Sequence, residues 1–294
     1  MDLALIKTFL AVAETGAFVT AADRLFVTQS AVSLRVQRLE EQLGQPLFAR
    51  SRRGADLTPG GQDCDPHARA LRRTGEEARQ SVALPQGFTW TLTVGAQVTL
   101  WPRIGFRWID RLREAVPDLG VRAEMGTAED LTRAMTEGTM QVMLTHMPRV
   151  RPGLSVERLI EDELVLVSPR PQDGPGDVAG RFLAVDWGPE FAAFLAQRLP
   201  GVAGSGALAL DLGALATRFV LARDLAAFLP AAHVKRHVDG GRLFLVEGVP
   251  SFPYPVWSVW RDDLDEDLAQ IADTALRSVA ERTETDISEL LDAL

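Results

Sequence analysis

Apolar positions in the first part of the chain recur with the period of a helix. Between Leu3 and Glu14 they place Ile6, Phe9, Leu10 and Ala13 on one side, and Gly16 ends the run. A short helix over Thr20–Leu25 turns Ala21, Ala22 and Leu25 inward, with Thr20 as its cap. Phe26, Val27 and Thr28 make a tight turn. From Thr28 to Leu43, Val32, Val36, Leu39 and Leu43 predict a longer helix, capped by Thr28 and ended by Gly44. Short helix, turn, longer helix, with a further helix behind, is a helix-turn-helix arrangement.

The other face of the long helix carries Gln29, Ser30 and Ser33, then Arg35, Gln37 and Arg38. Amide, hydroxyl and guanidinium groups at a helix start can read base edges in a major groove. A solvated surface helix has the same polarity, so the flanks decide between the two. After Gly44, Leu47 and Phe48 can pack back on the helices. Arg50, Arg52 and Arg53 precede the Gly54 turn and Leu57 returns, which reads as a β-wing with a basic tip.

Residues 62–82 read as a long helix. Cys64, Ala68, Leu71, Gly75, Ala78 and Val82 alternate steps of four and three, a heptad-like seam of mostly small residues. A partner helix could cover that seam, or the helix could lie on its own domain. Leu84-Pro85-Gln86-Gly87 is the best domain boundary. Strands and helices then alternate: TWTLTVGAQ, a helix from Pro102 to Val116, VRAEMG, a helix over Ala128–Glu137 capped by Thr127, QVMLTH, and LSVERLIEDELVLVSP as two strands. Such alternation predicts an α/β domain with a mostly parallel sheet. A second lobe follows over 169–264, with strands in RFLAV, LALDL, LAAFLP, RLFLVEGV and VWSVWR and a helix in LGALATRFVLA. Asp265–Glu281 is an amphipathic helix. The acidic tail beyond fits either a further short helix or no regular structure.

Composition narrows the class. The chain has 294 residues, 46% hydrophobic and 24% charged, as in a globular protein of about two domains. One cysteine, Cys64, excludes an internal disulfide and reads as a small buried hydrophobe in a reducing compartment. No signal peptide or membrane span stands out, so the expected location is the cytoplasm. The net charge of −9 argues weakly against nucleic acid, but it is unevenly spread. Residues 24–53 hold six arginines against Glu40 and Glu41, while residues 59–294 carry a net −10. A basic face on an acidic body suits a contact confined to that face.

The stretch FLAVAETGAFVTAADRLFVTQSAVSLRVQRLEEQLGQPLFARSRRGADLTPGG resembles the N-terminal domain of LysR-type transcriptional regulators. The distinctive words are AA before the turn, TQSAVS, LE-x-x-LG, PLF-x-R and LT-x-x-G. Here Asp63, Cys64 and Asp65 follow LT-x-x-G where the family has apolar residues. The DWGPEF segment resembles the HdfR-like branch, which is associated with control of motility genes. The resemblance implies a fold that is α/β with an N-terminal all-α winged helix-turn-helix over 1–58, a long linker helix over 59–84 and a bilobed, periplasmic-binding-protein-like effector domain over 88–294. Lobe 1 would span 88–168 and 265–294, and lobe 2 would span 169–264. DNA contacts would come from Thr28, Gln29, Ser30, Ser33, Arg35, Arg38, Arg50, Arg52 and Arg53. The linker helix would pair with that of a second subunit through Ala68, Leu71, Gly75, Ala78 and Val82, giving a homodimer or homotetramer. Double-stranded DNA, a small-molecule effector and RNA polymerase are the implied partners.

In open α/β sheets ligands sit off the carboxyl ends of strands, near helix N-termini. In the implied cleft that singles out Gln97, Thr99, Trp101, Thr127, Thr145 and His146 on the first lobe, and Trp187, Gly188 and Phe191 on the second. Each position would also suit ordinary capping or packing. Ala222-Arg223-Asp224-Leu225 replaces the family's Gly-rich turn and puts a charged pair at the cleft mouth. His233 and His237 are four apart, but no further metal ligand lies near them. No catalytic constellation, phosphate loop or cofactor motif is legible. The competing class is a small-molecule-binding or enzymatic α/β protein whose N-terminal helices only mediate association. Such a protein would need neither the arginine-rich wing nor TQSAVS.

Overall fold

The computed structural model describes residues 2–51, 54–82, 88, 90–203, 208–210 and 213–292. The chain divides into two compact units, Met1–Thr91 with Arg133–Met140, and Leu92–Thr132 with Gln141–Leu294.

In the first unit α1 (Leu3–Thr15), α2 (Phe18–Leu25) and α3 (Gln29–Leu43) are followed by strands β1 (Phe48–Ser51) and β2 (Gly54–Leu57) and by α4 (Pro59–Val82). Phe9, Leu10, Leu39 and Leu47 form one core cluster with Ala68, and Val12, Ala21, Val32 and Val36 form a second. The family words correspond to short-range hydrogen bonds. Glu40 Oε1 accepts the amides of Leu47 at 2.7 Å and Phe48 at 3.2 Å, which fixes the chain after the helix. Thr58 donates to Pro46 O at 2.7 Å and accepts from Gly61 N at 3.0 Å. A Cβ at Gly61 would stand 2.2 Å from Leu47 O, and one at Gly54 would stand 2.1 Å from Gly16 O, so both must be glycine. Through that gap Ala55 N donates to Gly16 O at 2.8 Å and docks the wing on the end of α1.

Two helix starts and one side-chain placement differ from expectation. The second helix begins at Phe18 rather than Thr20, and its N-cap Ala17 makes no side-chain bond. Leu43, expected to be inward, is exposed. The fourth helix begins at Pro59, the start the family resemblance implies, rather than at the 62 of the apolar seam, because Thr58 already satisfies the first-turn amide of Gly61.

In the second unit the order is β3 (Trp90–Ala96), a π-helical turn over Trp101–Gly105, α5 (Phe106–Ala115), β4 (Leu119–Met125), α6 (Ala128–Glu137), β5 (Val142–Thr145), β6 (Leu154–Ile160) and β7 (Glu163–Ser168). After the helical turn α7 (Pro175–Val178) come β8 (Leu183–Val185), α8 (Pro189–Arg198), the turn α9 (Pro200–Ala203) and β9 (Leu208–Leu210). Then follow α10 (Ala216–Arg223), β10 (Ala227–Pro230), α11 (Ala231–Asp239), β11 (Phe244–Leu245), β12 (Phe252–Pro253), β13 (Val256–Arg261) and α12 (Glu266–Leu291). Tails of β3 and α6 are shared with the first unit.

The sheets are less parallel than expected. In the order β4-β3-β5-β13-β6, β3 and β5 are parallel, but β13 runs antiparallel to both β5 and β6. The strands β10, β11 and β12 all pair antiparallel with β7. The lobe boundaries shift accordingly. Glu163–Ser168 belongs to the second sheet rather than lobe 1, and Val256–Arg261 belongs to the first sheet rather than lobe 2. The chain therefore crosses between sheets at Glu161–Asp162 and returns at Tyr254–Pro255. The helix expected over 102–116 is split, with a π turn first and α5 after it. RLFLVEGV supplies only the two residues of β11. The last helix runs without a break to Leu291, past the expected end at Glu281, because Thr283, Ile287 and Leu290 continue its buried face. Trp108 Nε1 donates to Ala272 O at 2.9 Å and ties α5 to α12.

Candidate DNA interface and effector cleft

Thr28 and Gly44 bound α3 as its sequence requires. Thr28 Oγ1 accepts from Ala31 N at 3.3 Å, and Gly44 adopts a left-handed φ of 72° while its N–H donates to Glu40 O. Val32, Val36 and Leu39 are buried, which turns Gln29, Ser30, Ser33, Gln37 and Arg38 to the open side. Two of these already have neighbours: Ser30 Oγ lies 3.0 Å from Thr28 Oγ1, and Gln37 Nε2 donates to Glu41 Oε1 at 2.9 Å. Arg35 is set apart from this face. It is half-buried and reaches back to Thr8 Oγ1 of α1 at 3.5 Å. Leu34, which sequence reasoning passed over, is exposed on the polar side. Arg50 stands on β1 opposite Ala55, while Arg52 and Arg53 lie outside the described residues. Arg24 is drawn away by Glu14 at 2.6 Å.

The seam of α4 divides. Ala68 is buried against the α1 core, and a Cβ on Gly75 would sit 2.9 Å from Leu3 Cδ1, so these two face their own domain. Leu71, Ala78 and Val82 are exposed. Cys64 is half-buried beside the same core.

In the second unit Gln97, Thr145 and His146 form one hydrogen-bonded knot. Gln97 Oε1 accepts from Thr145 Oγ1 at 3.0 Å and from His146 N at 2.8 Å. The His146 ring stacks on Tyr254 with centroids 3.9 Å apart, and Trp187 meets Tyr254 edge-on at 5.1 Å. Trp187 Nε1 donates to Phe228 O at 3.0 Å. Trp101 and Phe191 are core residues: the first is 7% and the second 4% exposed. Neither indole nor phenyl is free to cover a ligand. Gly188, the N-cap of α8, has φ 97°. Thr127 caps α6, accepting from Asp130 N at 3.2 Å, and does not border the cleft cavity.

A small concavity lies between the sheets. Thr99 and His146 border it, together with Arg103, Asp162, His233 and Thr283, which sequence reasoning did not select. Its volume of about 20 Å³ holds little more than one water. Asp162 is buried, and Oδ1 accepts from Glu163 N at 2.8 Å and Ala232 N at 3.1 Å. Burial pushes its carboxyl up to about 7, against those two amides and the Arg103 guanidinium. Burial pulls His146 down to about 4, against hydrogen bonds to the Pro255 and Tyr254 backbone. Burial, then Arg236 and Arg103, pulls His233 down to about 4. Both rings are therefore neutral at pH 7. Arg103 pairs with Asp286 at 2.8 Å and keeps a buried Nε without a partner. The only sequence signal for Asp162 is its place in the middle of the acidic triplet Glu161-Asp162-Glu163, between the apolar segments Leu159-Ile160 and Leu164-Val165-Leu166-Val167, and His233 stands out in the sequence only through its spacing from His237. Among the described residues no group of three or more His, Cys, Asp or Glu could hold a metal ion.

Comparison with known proteins identifies two family domains in the chain. Residues 3–62 match the bacterial regulatory helix-turn-helix protein, lysR family, and residues 85–278 match the LysR substrate binding domain. The HTH-type transcriptional regulator HdfR of Escherichia coli O17:K52:H18 is 29% identical over 272 residues, covering 90% of this chain and 94% of the relative. ArgP from Mycobacterium tuberculosis shares the fold with a TM-score of 0.58 at 19% identity, over 95% of this chain and 97% of that one. Full-length LysG from Corynebacterium glutamicum with bound effector Arg does so with a TM-score of 0.57 at 18% identity, over 96% and 99%. The chain belongs to the LysR family of transcriptional regulators, which join a DNA-binding helix-turn-helix to an effector-binding domain, and it is not an enzyme.

Proposed function

We propose that α3 enters the major groove of an operator, with Gln29, Ser30 and Ser33 on base edges. Arg38 on α3 and Arg50, Arg52 and Arg53 on the wing then hold phosphates or the minor groove. The observation that carries this reading is the division of α3 into a buried face of Val32, Val36 and Leu39 and an open polar face beginning at its capped N-terminus. Thr28 serves as the cap rather than a base contact, and Arg35 supports α1. The DNA-binding domain then spans 1–58 and the linker helix 59–82. The effector domain follows, with lobe 1 over 90–160 and 256–292 and lobe 2 over 163–253. Leu71, Ala78 and Val82 pair the linker helices of two subunits, and RNA polymerase is a further partner. Among the described residues no helix is long and apolar enough to cross a membrane, and the site of action in this reading is the cytoplasm.

The effector enters between the lobes, where Thr99, His146, Arg103 and Asp162 offer a hydroxyl, an imidazole, a guanidinium and a carboxyl. A small polar metabolite fits that chemistry. Since the cavity is little larger than one water, binding must part the lobes, and the linker helices would carry the change to the DNA-reading domains. Genome-wide mapping of DNA bound by the purified protein, followed by mobility shifts with Gln29→Ala, tests the reading. Recurrent sites whose affinity falls with the substitution are expected. No sequence preference, or a variant unchanged on every sequence, would contradict it.

A further inference from the structure

We propose that Leu34 is a specificity-determining residue that reads the C5-methyl group of a thymine in the operator. The proposal rests on the placement of α3 in the major groove. Leu34 is 49% exposed, on the side of α3 away from Val32, Val36 and Leu39. Its neighbours one turn away are Ser30, Gln37 and Arg38, which are exposed and polar, and Ala31, which is small and half-buried. A single exposed leucine is ordinary on a protein surface. Its position here is what carries information, because it is the one large apolar side chain among the groups the capped half of α3 turns outward.

The floor of the major groove offers donors, acceptors and one apolar group, the thymine methyl. The polar neighbours of Leu34 can take the donors and acceptors. The isobutyl group can take only the methyl. Against a cytosine amine or a purine N7 it would desolvate a polar edge without replacing its hydrogen bond, so the contact discriminates as well as attracts. Arg35, next in sequence, does not compete for the same base, since it reaches back to Thr8.

The test uses the full chain. Operators are first recovered by selection from random duplexes. Each thymine is then replaced in turn by deoxyuridine, which pairs identically and lacks only the methyl. Wild type should lose about fourfold in affinity at one thymine or more, the worth of one buried methyl. Leu34→Ala should bind thymine and deoxyuridine equally at that position while keeping its dependence on Gln29. Leu34→Ser serves as a second variant, and unchanged thermal midpoints confirm that both fold. If no deoxyuridine weakens wild type, or if Leu34→Ala still senses the same methyl, the proposal is overturned and the placement of α3 stands. If Gln29→Ala is also without effect on every sequence, both are overturned.

Discussion

Asp162 accepts the backbone N–H of Ala232 at 3.1 Å, so a carboxyl from the crossover between the two sheets satisfies a free donor at the start of α11. The helix has no cap of its own, since Pro230 precedes it and makes no side-chain bond. The carboxyl is buried, and its pKa rises to about 7 from an ordinary 3.8. In the folded chain it therefore holds a proton that the unfolded chain has already released. That contribution to stability is complete below the unfolded value and is lost as pH rises through about 7. His146 and His233, pulled down to about 4, act in the opposite sense: their contribution is present above 6.5 and lost as pH falls toward about 4. The two effects oppose each other over the same window. Asp162→Asn keeps an oxygen for Ala232 and removes the titration. Its thermal midpoint relative to wild type should climb between pH 4 and 7 and stay level above. Parallel profiles for the two proteins would refute this account.

Glu40 links the end of α3 to the segment that begins the wing. Its Oε1 is the acceptor for both Leu47 N and Phe48 N, and Leu47 is fully buried. Glu40→Ala leaves two amides without that acceptor and should destabilise the DNA-binding domain by about 1–3 kcal/mol. Glu40→Gln keeps a carbonyl oxygen and should recover part of the loss. Denaturant melts of the three proteins measure the difference. A neutral Glu40→Ala would mean that water replaces the carboxylate.

The DNA-binding unit was legible because its family words are local devices. Thr28 and Gly44 act within four residues of themselves, and Glu40, Thr58 and Gly61 reach no further than the turn at 46–48, so their spacing in the chain largely sets their geometry. The effector domain was legible in element order but not in pairing. Glu163–Ser168 and Val256–Arg261 are both short apolar strands, and which sheet each joins is decided by partners far along the chain. The aromatic residues misled for a related reason. Trp101 and Phe191 follow strands at places suited to a ligand, yet their area is better buried in the two cores than left in a cleft. Asp162 was missed because its role depends on α11, a helix read in sequence only as a pair of histidines.

The two halves of the α4 seam should respond differently to charge. Leu71 is 40% exposed and Ala68 is 1% exposed. Leu71→Glu should leave the thermal midpoint of the subunit nearly unchanged while shifting sedimentation toward monomer. Ala68→Glu forces a carboxylate into the α1 core and should destabilise the fold itself. A Leu71→Glu protein with wild-type sedimentation would remove the exposed half of the seam from subunit pairing.

Arg38 and Gln29 share the open side of α3 but should fail in different ways. Gln29 stands at the first residue of the helix, where a side chain reaches base edges. Arg38 lies more than two turns further along, where the proposed docking of α3 would bring it to the DNA backbone. Gln29→Ala should cost about 1–3 kcal/mol on the preferred base pair and little on operators already changed there. Arg38→Gln should weaken every sequence alike and reduce the log–log salt slope by about 0.9 for each phosphate contact removed. The net charge of −9 does not oppose a steep slope, because the acidic excess lies beyond residue 58 and the arginines lie before it. Exposed charges farther away than about 10 Å are largely screened at moderate salt, so the local count sets the slope. Titrations of wild type and both variants at several salt concentrations, on one operator and one scrambled duplex, separate the two behaviours. A slope unchanged by Arg38→Gln would assign that side chain to a base or to solvent rather than to a phosphate.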